Sequence, residues 1–224
     1  MLGSWFPSSR DRFTGADFEF LTEHLAPGEG RRHLWTLWED PEALREMLDL
    51  KEVLLGLLEG PGAVRVSPPF YFYVLVRHAF LEAGIEDAGI ADYVAGVLAE
   101  RVGADPDDVL RSIPSGLVHA ADFVSIMENA HGRVRFHLQL AAGNQFLVLT
   151  GLFPGFLERR AERCGAPRVE FYESFARKVF HDVAGSPSAP RDLPRRMLSD
   201  LSDCLPQARR SLNRVAEDYV FLGE

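Results

Sequence analysis

Lysine is almost missing from this chain. Of its 24 basic residues only Lys51 and Lys178 are lysines; the rest are arginine. Such a skew reflects GC-rich coding and points to a bacterial source. Cysteine is equally scarce. Cys164 and Cys204 are too few for a disulfide framework, and neither belongs to a metal-binding spacing. Both fall where a helix would place an apolar side chain, which predicts buried, reduced thiols in a cytoplasmic protein. Positive charge is in deficit, with 33 acidic residues against 24 basic ones and a net charge of -9. That balance argues against nonspecific nucleic-acid or anionic-membrane binding. The longest apolar run, Pro68 to Val76, is about half of what a membrane span needs. The opening M-L-G-S-W-F-P-S-S-R-D-R-F has no charged start followed by an apolar run, so no signal peptide is expected.

Several chemistries lack their residues. There is no Gly-x-Ser-x-Gly elbow, no Gly-x4-Gly-Lys phosphate loop and no His-Glu-x-x-His. Strand signals are confined to Ala63-Val64-Arg65-Val66, and no internal repeat stands out.

What remains is helical patterning. Thr14 and Asp17 form a capping box with Asp in the Glu position, and Phe13 and Phe18 are placed to staple that start. Leu34, Leu37 and Trp38 mark a short second helix. Asp40-Pro41-Glu42 opens a third through Leu44, Met47 and Leu48, and Val53 to Leu58 continues or restarts it. Ser67 to Gly84, S-P-P-F-Y-F-Y-V-L-V-R-H-A-F-L-E-A-G, is apolar or aromatic on every side except at Arg77, His78 and Glu82. A helix of that kind belongs in the middle of a protein. Ile90, Val94, Val97, Leu98 and Val102 trace a stripe with polar residues opposite. Leu117 to Ala130 and Arg133 to Leu152 read as two helices, the latter apolar on most sides. Leu201, Leu205, Ala208, Leu212, Val215, Tyr219 and Leu222 form a heptad stripe, with a helix start near Asp203 that puts Pro206 in the first turn. The expectation is an all-α, single-domain bundle of about nine or ten helices. It spans residues 1–224, with 1–12 as an N-terminal arm, around two buried central helices near 68–83 and 133–152.

Few polar residues are candidates for chemistry. Glu128 and His131 have the Glu-x-x-His spacing that ferritin-like carboxylate proteins use to hold a metal pair. No second such pair exists, so a single metal ion would need His78 or His137 to complete its shell. His119 and Asp122 lie on the same predicted helix as Glu128, but on other faces of it. Arg77, His78 and Glu82 form a buried polar group. An unpaired buried arginine is costly, so a carboxylate from a neighbouring helix is expected; Asp122 and Glu128 are candidates. Phe70, Tyr71, Phe72 and Tyr73 could line an apolar ligand cavity, although core packing is the better explanation of them. Arg159, Arg160, Arg163 and Arg168 form a basic cluster that reads as a solvated face. No catalytic constellation is complete. The composite reading is a cytoplasmic helical module that binds a partner protein or itself; the heptad face supports it if it packs against a second copy, although such a stripe is more often an internal core face. The alternatives are a small-pocket enzyme or sensor and an apolar-ligand binder.

Overall fold

A computed structural model describes residues 7–25, 31–60, 65–101 and 129–219, with the backbone alone for 31–33. Ten α-helices and no strand are present among the described residues. The all-α expectation therefore holds. Ala63 and Val64 lie outside the described residues, and Arg65 and Val66 are not in a strand. The chain divides into two compact units, Met1–Val102 and Gly103–Glu224, and one of the two expected central helices falls in each.

In the first unit a short 3-10 turn, Arg10–Arg12, precedes α1 (Gly15–Leu25), α2 (Arg31–Glu39), α3 (Pro41–Leu48), α4 (Lys51–Glu59), α5 (Pro68–Glu82) and α6 (Ala88–Ala99). The starts follow the capping rules. Asp40 accepts from the backbone N–H of Glu42 (2.9 Å) and Ala43 (3.3 Å), with Pro41 at the first position. Asp17 reaches back to the Thr14 backbone N–H at 2.7 Å, as a capping box requires. Phe13 and Phe18 both pack on Trp38, which completes the staple (ring centroids 6.0 and 5.5 Å). At its end α5 forms a Schellman motif: Gly84 takes φ +77°, its N–H bonds to Leu81 O, and Ile85 N–H bonds to Phe80 O at 2.8 Å.

Ten of the fifteen residues of α5 are buried, as its composition predicts. Eleven of the twelve in α6 are buried as well, so α6 is not the half-exposed helix its stripe suggested. The face opposite the stripe is lined by Ala91, Asp92, Ala95 and Gly96, small enough for close approach by neighbours. At Gly96 an added Cβ would lie 2.8 Å from the Pro7 carbonyl oxygen. The N-terminal segment lies against α6 there.

The second unit holds α7 (Gly132–Leu152), α8 (Pro154–Cys164), α9 (Val169–Gly185) and α10 (Arg195–Tyr219). Helix α7 packs against α9 and α10. Phe146 meets Tyr172 and Phe175, and Gly143 meets Phe180 and Val179, so α7 and α9 run antiparallel. Between α7 and α8 the chain turns by 94° at Phe153-Pro154. The Asn213 side-chain amide donates to Thr150 O and Gly151 O, both at 2.7 Å, and thereby satisfies carbonyls that the end of α7 leaves open.

Two expectations are corrected here, the start of the last helix and the burial of the cysteines. Helix α10 begins at Arg195, eight residues before the expected restart, and runs through Pro206. Buried Leu198, Leu201 and Leu205 before the proline and Ala208, Leu212 and Val215 after it fasten both halves to the core, which outweighs one missing N–H. From Leu201 to Val215 the heptad stripe takes the internal of its two expected placements, packed on α7 and α9, while Leu222 lies outside the described residues. The cysteines are free but not buried: Cys164 is exposed at the last position of α8, and Cys204 is half-buried.

Candidate functional site

The polar residues predicted on α5 lie at the centre of the first unit's buried charge. Arg77 is almost fully buried and forms a two-pronged ion pair with Asp49: Nε to Oδ1 and Nη2 to Oδ2, both 2.7 Å. Its Nη1 donates to Glu86 O at 2.7 Å. The expected partners were different. Glu82 is exposed, while Asp122 and Glu128 lie outside the described residues, as does His119. Asp49 takes the role because it is the C-cap of α3, so the pair ties the end of α3 and the α5–α6 turn to the middle of α5. The Asp49 hydrogen bond holds the Arg77 pKa above its ordinary value against the opposing effect of burial.

His78 pins the same corner. Its Nε2 lies 3.0 Å from Leu48 O. A carbonyl only accepts, so Nε2 carries the proton. Burial pushes the His78 pKa below its usual value; the Leu48 bond, Asp49 and Glu82 resist that shift and Arg77 adds to it.

Tyr73, one turn before Arg77, is fully buried with a hydroxyl that has no hydrogen-bond partner among the described residues. Burial raises its pKa to about 12, so it does not exchange protons near neutrality. Phe13 packs edge-on against the Tyr73 ring, and the Arg10 guanidinium sits 5.8 Å from its centroid. Phe70 is buried among Phe13 and Phe20 (5.2 and 5.6 Å), and Tyr71 is half-buried beside Phe72. These rings contact one another as core residues do.

Two buried aspartates complete the layer. Asp92 Oδ1 accepts from Ser9 N (3.1 Å), Ser9 Oγ (2.7 Å) and Arg10 N (2.8 Å), with Arg10 Nε 3.4 Å away. Asp17 accepts from Thr14 and also from Ser67 N (2.6 Å) and Ser67 Oγ (2.7 Å), which joins the start of α1 to the start of α5. Sequence reasoning missed both of these roles. A signal existed for Asp92, the one charge inside the apolar run A-G-I-A-D-Y-V-A-G-V-L-A. Nothing in the pattern points from Asp17 to a serine 50 residues away.

The metal candidates stand apart from this layer. His131 and His137 are exposed in the second unit, and Glu128 lies outside the described residues. No group of three or more His, Cys, Asp or Glu gathers among the described residues. No single described helix is long and apolar enough to cross a membrane; α7 and α8 pass that test only as a bent pair.

Each charged group of the layer therefore bonds to another part of the same unit, an arrangement that fastens helix ends. Fold and site define an all-α helical protein whose first unit carries a layer of paired buried charges. No protein-family model, curated protein or solved structure matches the chain.

Proposed function

We propose that this chain is a cytoplasmic helical module that works by binding a protein surface, that of another protein or of a second copy. One observation carries the reading. Helix α4 is apolar around far more of its circumference than it buries: Val53 and Leu57 face inward, whereas Leu50, Leu55 and Leu58 are 43%, 51% and 36% exposed. Single exposed leucines are ordinary, but Leu55 and Leu58 stand three residues apart on one face of α4, with Leu50 exposed at its N-cap, and contact with a protein would cover that face. The heptad face no longer supports the reading, because it is spent inside the second unit. The acidic balance disfavours nucleic acid as the partner, and two unpaired cysteines suit a reducing compartment.

A photo-crosslinking amino acid at position 55 tests the proposal in the full chain, in cells. A discrete protein adduct is expected there and not at Lys178, a solvated control position on α9. No adduct at position 55 above that control would sink the reading.

A further inference from the structure

We infer that the exposed face of α4 is a two-fold seam between two copies of this chain, centred on Leu55. The inference rests on the proposed binding role of α4 and assigns its occupant. When two copies of the helix are laid antiparallel about Leu55, each residue meets the one equally far on the other side, so Lys51 faces the partner's Glu59 and Glu59 the partner's Lys51. Both charged residues are exposed, and both share the outer face with Leu55 and Leu58. The two-fold operation therefore closes two ion pairs around an apolar centre, the self-complementarity that such a contact demands.

The placement of these charges supplies an independent argument. Lys51 sits in the first turn of α4 and Glu59 at its last position. Each charge is thus on the wrong end of its own helix dipole. In the antiparallel pair each lies beside the opposite end of the partner helix, where its sign is favourable. Among the described residues neither takes part in an ion pair within its own chain. The face of one nine-residue helix is far smaller than the roughly 800 Å² per partner of a standard interface. The dimer is accordingly weak, reversible and salt-sensitive.

Sedimentation velocity on the full chain, from about 10 µM to about 1 mM, tests this. The wild type is expected to follow a monomer–dimer equilibrium that weakens with salt. Lys51→Glu, Glu59→Lys and Leu55→Asp should each raise the dissociation constant by about tenfold or more, whereas the double exchange K51E/E59K should bring it back to within about threefold of wild type. A second measurement needs no variant. Within one copy Lys51 and Glu59 are about 12 Å apart along the helix, too far for a zero-length carbodiimide to join. In an equal mixture of light and nitrogen-15-labelled protein, the Lys51–Glu59 crosslink should therefore appear as mixed-isotope pairs. A monomer throughout the range, or a dimer that ignores both the charge reversals and Leu55→Asp, overturns the seam. If the photo-crosslinker at position 55 then captures a different protein, the binding role stands and only the second copy is lost.

Discussion

The two units solve the same packing problem with different chemistry. In the first, the buried polar residues include four ionisable ones, Asp17, Arg77, His78 and Asp92. In the second, the buried polar residues among those described are neutral: Gln139, Gln145, Thr150, Ser202 and Ser211. The ion pair that joins α9 to α10 there, Glu173 with Arg209, keeps partial access to water. The first unit depends on each charge keeping its partner. The second depends on shape, as where Gly143 admits the Phe180 ring and Gly151 the Leu212 side chain. A core of the first kind is vulnerable to single deletions and to acid; one of the second kind is vulnerable to cavities.

The largest effect is expected from breaking the first unit's central pair. Asp49→Ala leaves a buried guanidinium without its counter-charge and should cost about 3–5 kcal/mol. Arg77→Met should cost less, because the Asp49 side chain left behind is 27% exposed and can be hydrated. Urea denaturation of both variants checks the order; equal losses would show that the asymmetry of burial does not matter. Leu212→Ala is the counterpart in the second unit. It should cost about 2–5 kcal/mol through lost burial and an unfilled cavity, and that loss should not vary with pH.

The pH response separates the units more finely. The His78 pKa is lower in the folded protein than in the unfolded chain, so protonation favours unfolding. Its contribution is complete above about pH 6.5 and is lost as pH falls through the window between the unfolded and the folded pKa. The slope there is at most about 1.4 kcal/mol per pH unit. Denaturation series between pH 5 and 8 should show that slope diminished in His78→Gln, whose amide can still donate to Leu48 O. An unchanged slope would assign the acid sensitivity to other groups. The smallest effect is expected at Tyr73. Its hydroxyl is buried without a partner among the described residues, so Tyr73→Phe should be neutral or stabilising by up to about 1 kcal/mol. A clear fall in melting temperature would mean that the hydroxyl is bonded after all.

Much of this contrast could be read in the sequence, but unevenly. The helices announced themselves through caps and breakers, as at Asp40-Pro41 and Gly84, because those signals act over one turn. The burial of α5 and α7 followed from their all-round apolar composition. The partner of Arg77 did not follow. Asp49 is one aspartate among many, and only the tertiary path brings the end of α3 to the middle of α5. Helix α6 was misjudged because alanine and glycine are silent in a periodicity pattern, although they are what permits burial on all sides. Pro206 misled in the opposite direction, since a local rule was overruled by leucines on both sides of it. The α4 patch was invisible for a related reason: sequence shows that Leu55 and Leu58 are apolar, not that the core leaves them outside.

The contact between Ser9 and Asp92 has a consequence in time. The two residues are 83 positions apart. On a ribosome adding about 5–20 residues per second, Ser9 is made roughly 4–17 seconds before the carboxylate that holds it. For most of that interval Phe13 has neither Phe70 nor Tyr73 to pack against. The segment at Pro7 to Phe13 is therefore synthesised well before the residue that anchors it and is among the last parts of the first unit to be fixed. A nascent chain stalled before α6 would hold that segment without the Asp92 carboxylate that anchors Ser9 and Arg10.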